Sequence, residues 1–291
     1  MERQDDMATL GQVMKSPVVY GLKAISIFHH QSRILLSKIL GIRFLFIDWL
    51  SRSGVVDIGD GKKIQFVASS QRSVGRAKQV LVKEPGTTEW ILGFEEGSLF
   101  WDIGSNIGAY TMLAAKRRSA RVLAFEPMLS TYHDLVMNID ANKLGDTVGG
   151  FCLAFTDDNS IDKFYIRNEE AGYSGNTFGQ PIDQYGNQYD HTSTYQVLGI
   201  SIDSFVSVFN LDVPNHIKID VDGGELAIIH GASRTLSDKK LKTVLIELEE
   251  CIPGRVEEAT RLMGLAGFKV GRIDTLIEIE KEKTSNYIFV R

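Results

Sequence analysis

The 291-residue chain predicts an α/β fold built on a mainly parallel sheet, and three observations predict it. The apolar run Leu99-Phe-Trp-Asp-Ile103 leads straight into a glycine-rich turn and a helix. A second apolar run, Val122-Leu-Ala-Phe125, ends on the carboxylate of Glu126. From Leu99 onward β-prone and helical runs alternate, the pattern of strands joined by crossover helices. A hydrophobic content of 43% with 24% charged residues is that of an ordinary globular protein.

Taken in order, residues 20–50 read as one or two helices with apolar residues three and four apart. The stretch 34–50 is interrupted by Lys38, Arg43 and Asp48, so it is too charged for a span of ~20 apolar residues. Residues 11–50 carry Lys15, Lys23, Arg33, Lys38 and Arg43 against Asp48 alone. A basic amphipathic helix of this kind packs on its own domain or a second subunit, or lies on a membrane surface. The start, Met1-Glu-Arg-Gln-Asp-Asp6, lacks the basic and apolar regions of a signal peptide, and the expected setting is cytoplasmic. The Gly59-Asp-Gly61 turn separates two β-prone runs over 55–67, and Pro85 marks a helix start within 72–95.

Strands are expected near 98–103, 121–126, 148–154, 216–222, 243–249, 268–273 and 285–291. Helices are expected near 107–117, 129–142, 224–237 and 254–266, with Gly267 as a C-cap. The last strand follows a short polar connection without a helix, which predicts that it runs antiparallel. The organisation is thus an N-terminal helical and hairpin extension over 1–97 and an α/β domain over 98–291. Residues 157–200 break the alternation. Their glycines, amides and aromatics (Tyr173, Phe178, Tyr185, Tyr189, Tyr195) suit an insertion that holds a sugar-like acceptor, or else a structural or dimerising segment.

The turn after Ile103 narrows the cofactor. The spacing from Gly104 to Glu126 is 22 residues, close to the ~20 between the turn and the ribose-binding acid of nucleotide-binding βαβ units. No Lys follows the turn, against a P-loop. Asn106 stands where a dinucleotide fold needs its second glycine. S-Adenosylmethionine remains: Glu126 for the ribose hydroxyls, Asp102 for the ammonium, and the amides of 104–108 for the carboxylate. A tight structural turn capped by Asp102 is the bland alternative.

A second constellation follows in 216–232. Period-2 alternation puts Lys218, Asp220 and Asp222 on one face, beside the cofactor turn, with Glu225 next in line. The following strand brings Glu247 and Glu249 to the same edge. Such acids serve as general base, as ligands of a hard cation, or as a helix cap and structural pair. The net charge of −5 argues against a nucleic-acid partner, and six histidines and two cysteines (Cys152, Cys251) show no metal spacing.

With both constellations in view, the chain resembles the FkbM-type methyltransferases. The resemblance rests on FWDIGSNIGAYT (100–111), VLAFEP (122–127), IKIDVDGGELAIIHGA (217–232) and VLIELE (244–249), with KEPGTTEWI (83–91) and SGNTFG (174–179) in support. It implies a class I methyltransferase Rossmann-like fold, a seven-stranded sheet with an antiparallel last strand. It also implies S-adenosylmethionine-dependent O-methylation of a hydroxyl, with a sugar of surface-polysaccharide or natural-product biosynthesis as the leading acceptor. Carried over residue by residue, Asp102, Gly104, Ser105, Asn106, Gly108, Glu126 and Pro127 hold the cofactor. Asp220, Glu225 and Glu247 form the reaction centre, Asp220 being the favoured base; no metal is expected. The chain departs from the family at Asp222, where a Glu is usual, and at Gly224; the shorter acid and looser turn argue against a direct catalytic role for Asp222 and in favour of Asp220 as the base. An NAD-dependent oxidoreductase, or a non-catalytic module of a glycan-assembly complex, are the alternatives; a glycan or small-molecule acceptor and a homo-oligomeric contact are the partners considered.

Overall fold

The computed structural model describes residues 53–279 and 282–291; the helices expected within 20–50, and the basic segment 11–50, lie outside the described residues. Strands β1 (Ser53–Asp57) and β2 (Lys63–Val67) form the expected antiparallel hairpin. Its turn takes the left-handed region at Gly59, Asp60 and Gly61 in succession, which is why two of the three are glycine. Helix α1 (Gln71–Gln79) is capped by Ser70, whose hydroxyl accepts from the Ser73 amide at 3.0 Å. Helix α2 (Pro85–Leu92) opens at Pro85 as expected.

Next come β3 (Leu99–Ile103), α3 (Ala109–Arg118), β4 (Arg121–Phe125), α4 (Leu129–Ala141) and β5 (Val148–Phe151). Strands β6 (Ala154–Phe155), β7 (Ser160–Ile166), β8 (Thr177–Phe178) and β9 (Ser193–Ile200) follow. The chain then forms α5 (Ile202–Val208), β10 (His216–Ile219), α6 (Glu225–His230), α7 (Ser233–Ser237), β11 (Thr243–Glu249), α8 (Arg255–Leu265), β12 (Lys269–Ile279) and β13 (Glu282–Val290). Among the described residues no helix is long and apolar enough to cross a membrane.

The main sheet has seven strands in the order β12-β13-β11-β10-β3-β4-β5. All are parallel except β13, which runs antiparallel to both β11 and β12, as its short connection predicts. The chain winds one way from β3 through β5 and the other way from β10, so the strand order reverses at the β3/β10 boundary. Ligands of open α/β sheets bind in the crevice outside the strand ends at such a reversal.

Both faces of the sheet are covered. Trp101, Phe125, Phe155, Phe205 and Ile217 pack on one side. On the other, Phe100, Ile107 and Met112 share a cluster with Ile64, Phe66, Ala77, Ile91 and Phe94 from the hairpin and the first two helices. The hairpin is stitched to α4 as well. The side chain of Asn138 accepts from the Val67 amide at 2.7 Å, and Asn142 accepts from the Gln65 amide and donates to its carbonyl.

Three expectations change. The strand expected over 216–222 ends at Ile219, because Asp222 and Gly223 take positive φ and turn the chain out of the sheet. The helix expected over 224–237 is two short helices broken near Gly231, where an added Cβ would lie 2.3 Å from the Thr156 carbonyl oxygen. Residues 157–200, read as loop-rich, contain most of a second four-stranded sheet, ordered β6-β9-β7-β8.

Gly104 has φ near 75°, and a Cβ there would lie 1.7 Å from the Asp220 carbonyl oxygen, an immovable backbone atom. Gly97 has nearly the same φ, 74°, with open space around it. Gly104→Ala is therefore expected to lower the unfolding free energy by roughly 2–4 kcal/mol and Gly97→Ala by about 1 kcal/mol. Equal losses in urea titration would remove the steric argument.

Candidate active site

The turn after β3 uses up its own donors. The Gly104 and Ser105 amides both donate to the Phe125 carbonyl at 3.0 Å, and the Gly108 amide donates to the Ser105 carbonyl at 2.9 Å. The Asn106 amide reaches Glu126 Oε2 at 2.9 Å, and the Ile107 amide is taken by the Asn106 side chain at 3.0 Å. Asn106 itself is left-handed, with φ near 51°. Loops that cradle phosphate leave such amides open to the ligand. This one does not, so the expectation that the 104–108 amides receive a cofactor carboxylate is corrected.

Gly104, Ser105, Asn106, Glu126 and Pro127 line a cavity of about 680 Å³ at the strand ends. Two further residues assigned to the cofactor do not. Asp102 is buried behind the turn, where its Oδ2 accepts from the Thr111 hydroxyl at 2.6 Å and its Oδ1 has no partner among the described residues. Gly108 serves packing: a Cβ there would lie 2.5 Å from Leu135.

Glu126 is buried, and its two oxygens accept the Asn106 and Met128 amides at 2.9 and 2.8 Å. Burial nevertheless pushes its pKa up to about 7. The Ser105 hydroxyl nearby is buried without a partner among the described residues. A group with hydroxyls to share would satisfy both.

Across the cavity, Lys218 is buried at the end of β10 and donates to Asp220 Oδ2 at 2.6 Å. Its ammonium lies 5.6 Å from the centre of the Tyr110 ring. Burial works against both charges, but Lys218 overrides it and holds the Asp220 carboxyl below its usual value. A carboxylate held this firmly in its charged form is a weak base, against the expectation that Asp220 takes a proton.

Asp222 is different. Its Oδ2 accepts the Gly175 amide at 2.7 Å, its backbone sits at φ near 60°, and burial and then the Asp220 charge push its pKa up to about 6. Like Asp220 it lines the cavity. Glu225 and Glu247 are not among the lining residues, contrary to their expected place at the reaction centre. Glu225 Oε1 instead accepts the Val221 and Gly223 amides and holds the 221–223 turn in shape. Glu247 pairs in register with Asn286, and burial with the charge of Asp220 raises it well above the usual carboxylate range. Glu249 forms an ion pair with Arg255. Among the described residues no group of acids, histidines and cysteines is arranged as a metal site.

Arg76, Lys83, Glu84 and Tyr110, none of which was given a role from the sequence, also line the cavity. Glu84, only 2% exposed, accepts from Lys83 Nζ at 3.0 Å, the Thr87 hydroxyl at 3.1 Å and Asn286 Nδ2 at 3.2 Å. The signal for it was the Lys-Glu-Pro run at 83–85, a charged pair set at a helix start. From the 157–200 segment, Tyr173, Asn176 and Phe178 also line the cavity. Tyr195 instead ties Pro127 and Leu129, and the Tyr189 hydroxyl meets Thr177.

The buried acids make a pH prediction. An acid whose folded pKa exceeds its unfolded one binds its proton more tightly when folded, so stability falls as pH rises through the folded value. Burial puts Glu126 at about 7, and burial with Glu249 puts Glu225 at about 8. Stability should therefore fall between pH 6.5 and 8. Below 6.5 the effect is offset only in part by His216, which burial pushes down to about 4. Glu225→Gln keeps an acceptor for both loop amides and should cut that fall by about 1–2 kcal/mol. An unchanged slope in thermal or urea unfolding would refute the assignment.

The Methyltransferase FkbM domain model matches residues 102–280. The hexuronic acid methyltransferase AglP of Haloferax volcanii is 24% identical over 228 residues, spanning 75% of this chain and 86% of that protein. Among solved structures, the methyltransferase FkbM of Methylobacillus flagellatus aligns with a TM-score of 0.45 at 15% identity, over 76% of this chain and 56% of that one. The M. jannaschii protein TYW2, solved in complex with AdoMet, aligns with a TM-score of 0.41 at 14% identity, over 82% and 87%. The family model covers more than half of the chain, including both acidic constellations, and the chain belongs to the FkbM methyltransferase family.

Proposed function

We propose that this enzyme transfers a methyl group from S-adenosylmethionine to a hydroxyl of a sugar. The observation that carries the cofactor reading is Glu126, a buried carboxylate at a strand end beside a turn with no amide left for phosphate. The amides of 104–108 are not free to bind a pyrophosphate, which disfavours the dinucleotide alternative. Glu126 would accept from the ribose hydroxyls. The Lys83–Glu84 pair offers matched charges to the amino acid end, in place of Asp102 and the turn amides.

S-Adenosylmethionine, when bound, supplies an electrophilic methyl group on sulfur. The chain must then hold the acceptor oxygen in line and receive its proton; positioning alone is worth about 7–11 kcal/mol. Asp222 is the residue for the proton. It lines the cavity, Gly175 fixes one of its oxygens, and its pKa is pushed up to about 6, towards neutrality. Asp220, held as an anion by Lys218, would orient the hydroxyl. A sugar acceptor is supported by the relative from Haloferax volcanii, a hexuronic acid methyltransferase.

Glu126→Ala should weaken S-adenosylhomocysteine binding by about 2–3 kcal/mol in calorimetry; unchanged affinity would place the ribose elsewhere. Asp222→Asn keeps an acceptor for the Gly175 amide. It should leave cofactor affinity intact while slowing methyl transfer 10²–10⁴-fold, an order typical of a lost general base. Transfer is read by mass spectrometry of sugar nucleotides and lipid-linked glycans as the gain of one methyl. Full activity of the Asn variant would remove Asp222 from the reaction.

A further inference from the structure

Four cationic side chains line the cavity: Arg76, Lys83, Lys218 and Arg255. Three have a carboxylate partner. Lys83 Nζ is 3.0 Å from Glu84, Lys218 Nζ is 2.6 Å from Asp220, and Arg255 pairs with Glu249. Arg76 has none among the described residues. Its Nε donates to the Gly172 carbonyl, which pins the guanidinium and leaves its Nη groups without a protein acceptor among those residues.

Four of the acids that line the cavity are already answered: Glu84 by Lys83, Thr87 and Asn286, Glu126 by two amides, Asp220 by Lys218, Asp222 by the Gly175 amide. Arg76 shares the cavity with Glu126, Asp220 and Asp222, and its charge lowers the pKa of all three. A half-buried, immobilised guanidinium with free donors is a ready partner for a carboxylate or phosphate fork.

Two anions could come to it, the cofactor's carboxylate or one on the acceptor. The cofactor end is a zwitterion, and Lys83 beside Glu84 complements both of its charges. Arg76 is instead fastened to Gly172, next to Tyr173 on the segment from the 157–200 region that walls the cavity. We propose that Arg76 selects the acceptor: its guanidinium binds the carboxylate of an acidic sugar and so presents a neighbouring hydroxyl for methylation. This rests on the methyl-transfer reading above. The new bond joins the hydroxyl oxygen to the methyl carbon as the carbon–sulfur bond breaks, and the hydroxyl proton passes to Asp222. The product is an ether, stable to mild alkali.

The test uses the full chain saturated with S-adenosylhomocysteine, titrated with methyl glucuronide against methyl glucoside and methyl galacturonide against methyl galactoside. Each pair differs only in the carboxylate. At least one uronide is expected to bind tenfold or more tighter than its neutral partner. Arg76→Gln should erase that preference while S-adenosylhomocysteine affinity stays within twofold, and Arg76→Lys should restore part of it. Equal binding within both pairs, no binding by any of the four sugars, or a uronide methylated as an alkali-labile ester overturns the proposal. So does an Arg76→Gln variant that loses S-adenosylhomocysteine instead. If the wild-type chain itself fails to bind S-adenosylhomocysteine, it is the methyl-transfer reading that falls.

Discussion

The meeting of two backbones, at Gly104 and Asp220, is the constraint on which the site depends. The strands β3 and β10 are hydrogen-bonded neighbours from Phe100 and His216 to Ile103 and Ile219, and the Asp220 amide extends the ladder to the Ile103 carbonyl. Beyond that point the two chains must part to make a crevice, yet they part only after passing within a distance that excludes even a methyl group. Any side chain at position 104 would wedge them apart. Because none is there, the turn that carries Asn106 and the turn that carries Asp222 open into the same cavity, and Glu126 and Asp220 face a common space.

Charge inside that space is arranged in pairs. Lys218 is a cation at the floor of a site proposed to receive a sulfonium, an arrangement that would repel unless something screened it. Asp220 does so at 2.6 Å, with Asp102 and Glu84 contributing at longer range. The same pairing takes Asp220 out of proton chemistry and leaves that role to its neighbour Asp222, whose backbone is in the left-handed region and whose pKa is pushed up to about 6. Strain of that kind persists where the surroundings over-determine it. Here the surroundings are Glu225 on the 221 and 223 amides and Gly175 on the Asp222 carboxylate.

Much of the fold was legible in the sequence because its signals are local. Strand runs, Pro85 at a helix start, the turn at 59–61 and the short link before the last strand each act within a dozen residues. The place of Glu126 on the cavity wall was legible too, since a strand end with an acid at the right spacing is a one-dimensional pattern. The amide accounting was not, because it depends on a left-handed Asn106 folding its side chain onto the next amide. Nor was the exclusion of Glu225 and Glu247 from the cavity, since alternation names a face of a strand and is silent on what covers it. Arg76, Lys83 and Glu84 arrive from elements before the first strand of the main sheet, and no periodicity links them to residues more than a hundred positions away. Strands β7 and β9 were hidden by their exposed polar faces, as half-solvated strands of a small sheet tend to be.

The closed accounting of the turn has a kinetic side. A phosphate-binding loop often takes its final form only when the anion arrives to gather its amides. In this chain Phe125, Glu126, Asn106 and Ser105 supply those acceptors in advance, so the loop has no disorder left to lose. Ligand capture at this edge should then be a docking event rather than a folding one, limited by diffusion through the cavity mouth, and tight binding need not be slow.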